Sequence, residues 1–482
     1  MTGKTEDLKS EIVRSVLDRL LQDKSTGKNI IWAACSHESA GAENEPKDEI
    51  TAAAVHSGII GRRIAKESKE QAERTKNKGE VFTPAWVCNM MNNHCDEEWF
   101  GRKDVFNTQE GCEWKRSDAP ADFGEKDWKE YIDSRRIEIT CGEAPVLVSR
   151  YDASTGAEIE IGDRIGILDR KLRVVGENTK DEKDWLEWTY RAFQSVFGYE
   201  FQGDSLLIAR ITLLITFAEY LEDKWKREPS EEELEKIADI ICWNLWQMDG
   251  LSRQIPVTET PKADVKQRTL FDEPEASEET KPAEVKCKVF DRSNNKPIYF
   301  YGEGGKVNMH FDFCIGNPPY QELTEGTRDK PVYDVFMDAS YEIADKVELI
   351  TPARFLFNAG ATSKEWNKKM LNDPHLKVLC YAPDVTRFFT NVGFKGGVVI
   401  TYRNAKDIYR TIEMFSIYPE LNEILEKVRG LELNTFSEIM YGQGSYKFSR
   451  IMHSENPQIK YQEDSEGNNI GILSKGHDND IA

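Results

Sequence analysis

Apolar positions along the chain recur with two different periods. From Asp7 to Asp23 the residues Ile12, Val13, Val16, Leu17, Leu20 and Leu21 return every three or four positions, which predicts a helix with one buried stripe. A second, surface helix is expected over Ala65–Gln71, and Thr83-Pro84 reads as the start of another, because proline suits a first helical turn. Helices are also predicted from Trp185 to Phe197 and, strongly apolar, from Ser205 to Tyr220. Strands are predicted at Arg136–Ile139, Tyr199–Phe201, Phe311–Ile315, Val347–Ile350 and Gly397–Tyr402. Strands alternating with helices imply an α/β fold, a mostly parallel sheet covered on both faces.

Two stretches depart from this rhythm. Residues 152–184 are read as a polar, strand-poor excursion that lengthens one crossover. Residues 255–288 hold Pro256, Pro261, Pro274 and Pro282 among many charged residues, the composition of a solvated linker or insertion.

The chain has 482 residues, enough for two or three domains, with 39% apolar and 31% charged residues. Its longest apolar run, Ile211 to Ala218, is too short to cross a bilayer, so no membrane partner is expected. The start lacks the apolar core of a secretory signal. Nine scattered cysteines without a Cys-x-x-Cys pair suggest neither a zinc site nor a disulfide framework, and a reducing cytoplasm is the expected location. The formal charge of −21 argues against a broad basic coat for nucleic acid but leaves room for a local basic cleft.

Chemistry concentrates where the 311–315 strand stops, at Asn317-Pro318-Pro319-Tyr320. The prolines fix φ and remove two backbone donors, so carbonyls there seek outside partners. Asn317 adds a side-chain acceptor and Tyr320 a flat aromatic face. Together they suit a planar amine stacked on the ring; a proline-rich turn capped by an aromatic is the plainer alternative.

Other segments fall into order around this element: Gly79-Glu80-Val81-Phe82-Thr83-Pro84, then Glu138-Ile139-Thr140-Cys141-Gly142-Glu143-Ala144-Pro145, where a strand is expected to hand over to a helix. Gly198-Tyr199-Glu200 follows, then Leu206 to Arg210, Trp246-Gln247-Met248-Asp249-Gly250, Ile350 to Phe355, and Arg387 to Val398. In that order the series resembles the motifs of adenine-specific DNA methyltransferases of restriction–modification systems, and more narrowly the Eco57I-type methylase domain, over roughly residues 28–440.

The resemblance implies a doubly wound, Rossmann-like sheet that binds S-adenosylmethionine. It implies an N-terminal helical region over 1–78, a catalytic domain over 79–442 and a polar tail over 443–482. Asn317, Pro318, Pro319 and Tyr320 become the catalytic element. Glu138, Cys141, Gly142 and Ala144 become the cofactor loop, with Ala144 where the family carries a second glycine. Glu200 takes the ribose, although it lies 62 positions after Glu138 rather than the ~20 usual in dinucleotide folds. Asp249 takes the cofactor's adenine amino group, and Phe82, Thr83 and Pro84 close over its methionine end. Phe389 stacks on the far side of an extruded base opposite Tyr320.

Duplex DNA is the implied partner, in a bacterial or phage-encoded cytoplasmic protein. The family usually continues into a domain that reads the target sequence, and only about 40 polar residues follow Met440 here, so the expectation is either a chain that lacks most of that domain, with 443–482 as its remnant, or recognition by a separate specificity or restriction subunit. Gln267, Leu270 and Phe271 resemble a short sliding-clamp-binding peptide. Two other readings stay open. One is a non-catalytic subunit that keeps the pocket. The other is a protein-glutamine methyltransferase, disfavoured because 175 residues separate Gly142 from Asn317 and Phe82-Thr83-Pro84 is present.

Overall fold

The computed structural model describes residues 6–33, 46–62, 64, 81, 83–256, 285–322, 330–389 and 396–418, with isolated positions and short runs out to 471. Residues 1–415 form one compact unit and 416–482 a second. The expected surface helix at 65–71, Phe82, and the Gln267, Leu270 and Phe271 peptide lie outside the described residues.

The first unit is built on a seven-stranded sheet. Its strands are β1 (Arg136–Ile139), β2 (Val196–Glu200), β3 (Leu245–Gln247), β4 (Phe311–Gly316), β5 (Ala344–Pro352), β6 (Leu376–Ala382) and β7 (Val398–Asn404). In space they run β3-β2-β1-β4-β5-β7-β6. Strands β1 to β5 pair in parallel, and β7 lies antiparallel to both β5 and β6. This is a Rossmann-like, doubly wound α/β sheet. Its strand order reverses between β1 and β4, and in such sheets ligands bind in the crevice beyond the carboxyl ends at that reversal.

Each face of the sheet meets its own apolar core. On β7, Val398, Ile400 and Tyr402 enter one cluster and Val399 the other, the period-two alternation of a strand. On β2, Val196 faces the first and Phe197 and Tyr199 the second. The first cluster is covered by α1 (Glu11–Leu21), α2 (Ala85–Phe100), α3 (Ile167–Asn178), α4 (Glu182–Gln194), α5 (Gly203–Trp225) and α6 (Glu231–Asn244). The second lies under α7 (Tyr333–Ile343) and α8 (Lys364–Leu371).

The N-terminal stripe behaves as its spacing predicts. Val13, Val16, Leu17, Leu20 and Leu21 are buried, and α1 packs on α5 and α6. The Arg210 guanidinium, fully buried on α5, donates to the carbonyls of Leu20 (2.6 Å) and Gln22 (3.0 Å) and to Leu245 at the start of β3. It thereby satisfies the last carbonyls of α1 and ties that helix to the sheet.

Two expectations are corrected here. Residues 152–184 are strand-poor but not a polar excursion, for they contain α3, whose Ile167 to Leu172, Val174 and Val175 are all buried. The charged positions that made it look polar are partnered inside. Lys171 donates to the Ile132 and Ser134 carbonyls and the Ser195 hydroxyl, and burial holds its pKa far below the ordinary lysine value. Nor does β1 hand over directly to a helix, because a long connection intervenes before α3.

A buried ionic cluster pins α2 and α3 to β1. Asp96 of α2 accepts from Arg136 of β1 (2.8 Å), Arg170 of α3 (2.6 Å) and the Tyr131 hydroxyl (2.9 Å). Burial alone would raise the Asp96 pKa, but the two guanidiniums override it and hold the carboxyl below its usual range. Its stabilisation is therefore complete above the ordinary carboxylate pKa of ~3.9 and is lost as pH falls through the lower native value. Asp96→Asn should cost about 3–5 kcal/mol by leaving two buried cations uncompensated, read as the shift of the denaturant midpoint at neutral pH.

Candidate active site

The reversal point is held open by one glycine. Gly316, the last residue of β4, pairs with Ile139, the last of β1, and a Cβ on Gly316 would sit 2.4 Å from Ile139 Cγ1 and 2.9 Å from its carbonyl oxygen. With no side chain there, the two strand ends lie flush. The chains then leave side by side, and the Thr140 hydroxyl lies between the carbonyls of Ile139 (2.7 Å) and Asn317 (3.4 Å).

After β1 the backbone makes a tight loop in which Thr140 (φ 46°), Gly142 (φ 55°) and Ala144 (φ 62°) all adopt left-handed conformations. Only glycine takes this region without cost; Thr140 and Ala144 carry roughly 1–2 kcal/mol of strain each. The surroundings hold them in place. Glu138 accepts from the Val146 (3.3 Å) and Leu147 (3.1 Å) amides. Glu200, ending β2, accepts from Gly142 N (2.9 Å) through one oxygen and Gln202 N (3.0 Å) through the other. The chain closes when Ile167 and Leu168, opening α3, donate to the Val146 and Leu147 carbonyls. Residues 148–166 are thus looped out between the turn and its helix.

These contacts divide the residues assigned to a cofactor. Glu138 is buried, with burial raising its pKa against the lowering effect of the two amides, and it shapes the loop from within. Cys141 is buried against Gly198, and burial keeps its thiol well above the ordinary range, so it serves as packing. Ala144 is fully buried. Gly142 and Glu200 stand together at the crevice. Asp249, half-buried just beyond β3, turns one oxygen to Leu251 N (2.9 Å).

Asn317 projects from the end of β4. Its amide nitrogen donates to the Val81 carbonyl (3.2 Å) and the Thr83 hydroxyl (3.3 Å). Its carbonyl oxygen Oδ1 is buried and has no hydrogen-bond partner among the described residues. Leaving such an acceptor dry and unsatisfied costs about 1–3 kcal/mol. Pro318 is buried and Pro319 half-buried. Tyr320 packs against the first core cluster, its carbonyl accepts from Val332 N (3.2 Å), and burial raises its phenol pKa, so the ring is neutral. Thr83-Pro84 sits at the start of α2, where Asp152 accepts from Ala85 N (2.9 Å). The structure therefore brings the Thr83, Gly142 and Asn317 elements to one place.

Phe389 is only 3% exposed; it packs on Phe388 (centroids 6.2 Å), which packs on Trp86 (5.2 Å). In this conformation Phe389 belongs to the core rather than to an open wall.

Sequence reasoning gave Gln247 no role, yet its side-chain amide accepts from Ile31 N (2.9 Å) and donates to the carbonyls of Ile31 (2.7 Å) and Phe201 (2.8 Å). It staples the N-terminal segment to the ends of β2 and β3. The only available signal was its place between Trp246 and Asp249 in the motif series. Asp152, in an unremarked turn, gave none.

Residues 194–389 match the family model of the Eco57I restriction-modification methylase. Over that segment, less than half of the chain, the sequence is similar to the Eco57I methylases. The segment takes in Glu200, Asp249 and Asn317 to Tyr320 and ends on Phe389, while Thr83, Glu138 and Gly142 precede it. No curated protein matches the chain. Among solved structures it is similar to the ATP-dependent Type ISP restriction-modification enzyme LlaBIII bound to DNA (14% identity, TM-score 0.33, covering 68% of this chain and 19% of that one). It is also similar to the type I restriction-modification methyltransferase subunit from Streptococcus thermophilus (12%, TM-score 0.26, covering 62% and 48%). A third is the DrdV–DNA complex (10%, TM-score 0.35, covering 89% and 35%). The chain thus spans between 19% and 48% of the length of these three.

In this sheet the β1/β4 contact fixes the spacing between Gly142 and Asn317. Gly316→Ala should therefore destabilise the protein by about 1–3 kcal/mol through overpacking, measured by thermal or denaturant unfolding.

Proposed function

We propose that this chain transfers a methyl group from S-adenosylmethionine to the exocyclic amino group of adenine in duplex DNA, within a restriction–modification system. The observation that carries this reading is the buried, unsatisfied Oδ1 of Asn317 at the sheet's reversal point, beside the Gly142 loop. The methylase family match supports the reaction class.

An adenine amino nitrogen is a poor nucleophile because its lone pair is delocalised into the ring. Asn317 Oδ1 and the Pro318 carbonyl accept its two hydrogens and draw the nitrogen toward tetrahedral geometry. The positive charge that grows on it is stabilised by these fixed dipoles and by the Tyr320 face. The sulfur leaves as the neutral thioether S-adenosylhomocysteine, and the methylated, positively charged nitrogen is acidic enough to release one hydrogen to solvent, so no strong base is required. S-adenosylmethionine, when bound, supplies an electrophilic sulfonium methyl group. The chain's contribution is placement: Glu200 and Gly142 hold the ribose side, Asp249 the adenine amino group, and Thr83 the methionine end, leaving donor and amine in contact. The base must leave the duplex to reach Asn317, at a cost of a few kcal/mol in lost stacking and pairing. Phosphate contacts carry most non-specific DNA affinity, so with a net charge of −21 binding to duplex DNA should be weak unless a specificity polypeptide contributes cations.

Isothermal calorimetry on the folded chain should show saturable S-adenosylmethionine binding that weakens by about 1–3 kcal/mol in Glu200→Ala, which unpairs both Gly142 N and the ribose hydroxyls. No heat of binding would defeat the reading. Mass spectrometry of nucleosides after reaction with unmethylated DNA should find N6-methyladenine rather than N4-methylcytosine. Asn317→Ala should abolish it with cofactor affinity nearly intact, while Tyr320→Phe should retain far more activity than Tyr320→Ala, since the ring face acts rather than the hydroxyl.

A further inference from the structure

We infer that Thr83 is a positioning residue for Asn317: with the Val81 carbonyl it sets which way the Asn317 amide faces. The inference rests on the proposed methyl transfer and goes beyond the role at the methionine end that the motif resemblance gives Thr83.

A side-chain amide is nearly symmetric in shape but opposite in function at its two ends, so a catalytic asparagine works in only one of two orientations. Val81 decides the matter on one side, because a backbone carbonyl can only accept and lies 3.2 Å from Asn317 Nδ2. Thr83 Oγ1, 3.3 Å from the same nitrogen, takes up the second amide hydrogen. With both hydrogens engaged, Oδ1 faces away from the Val81 carbonyl and the Thr83 hydroxyl, and there it is buried and unsatisfied among the described residues. The reversed amide would bring Oδ1 against the Val81 carbonyl, two acceptors face to face, and point two donors at the incoming amine.

Thr83 is itself held. It is 4% exposed, its carbonyl accepts from the Cys88 thiol (3.7 Å), and Pro84 fixes the backbone behind it at the head of α2. The Asn317 end is held by the β1/β4 pairing. Two rigid elements separated by 234 residues in sequence therefore meet through one amide group. Thr83→Val removes the acceptor and keeps the shape; Thr83→Ser keeps the acceptor.

The test uses the full chain with selective 15N-asparagine labelling, the Asn317 side-chain NH2 signal being assigned by its loss in Asn317→Ala. In the wild type the two Asn317 protons should be well separated and slow to exchange with solvent. In Thr83→Val they should exchange about tenfold faster, and Thr83→Ser should restore protection. In parallel, tritium transfer from S-adenosylmethionine to unmethylated DNA should show kcat at saturating cofactor lowered about tenfold in Thr83→Val and restored in Thr83→Ser, with calorimetric cofactor affinity and the thermal midpoint measured for each variant. Unchanged amide protection in a folded Thr83→Val overturns the inference, as does weaker cofactor binding with kcat intact. Protected protons lost in Thr83→Val, in a wild type that transfers no label to any DNA, would uphold the positioning and reject the methyl-transfer reading instead.

Discussion

Everything at the candidate site depends on the contact between the ends of β1 and β4. Ile139 and Gly316 are neighbours across a parallel ladder at the point where the sheet changes direction, with no side chain on Gly316 to separate them. A parallel sheet splays its connections to opposite faces at such a point and leaves a crevice. The loop after β1 forms one lip of that crevice and Asn317 the other. The chemistry proposed for this chain needs a methyl donor and an amine in contact, and the spacing of the lips is a property of the ladder rather than of either loop.

The loop after β1 stores strain on that foundation. Thr140 and Ala144 stand at positive φ where glycine would be relaxed, and internal bonds from Glu138 and Glu200 to backbone amides hold them there. Glu200 has two tasks: it braces the loop through Gly142 N and it stands at the crevice. A carboxylate has lone pairs enough for both. Ala144 holds its positive φ with its methyl group swallowed by the core.

Much of this was legible in the sequence, for identifiable reasons. Strand β4 reads as an apolar run broken only by Asp312, and β5 has an apolar end at Val347–Ile350; the α1 stripe has the helical period. Strand β6 was missed because Lys377 to Tyr381 are all half-buried, so no alternation shows. Strand β3 is three residues long, too short for any period. Helix α3 was hidden by Asp169, Arg170 and Lys171, which look solvated and are buried because each finds partners in distant segments. At the site, Asn317 announced itself through the prolines that follow it. Its orientation could not be read, since it depends on atoms of Val81 and Thr83 at the other end of the domain. Phe389 was legible as an aromatic within the motif series, and its burial follows from packing on Phe388, which meets Trp86 from a distant segment.

The Gln247–Ile31 staple sets an order of events during synthesis. Ile31 leaves the ribosome 216 residues before the side chain that fastens it. At 5–20 residues per second that is a wait of ~10–40 s. Through most of that interval α1 lacks α5 and α6 to lie against, and the edge of the crevice formed by β2 and β3 does not yet exist. A segment made well before the crevice is therefore fastened only after β3 is complete. Any factor that binds an exposed apolar stripe has its longest opportunity on Val13, Val16, Leu17 and Leu20, well before the site those residues will support has been made.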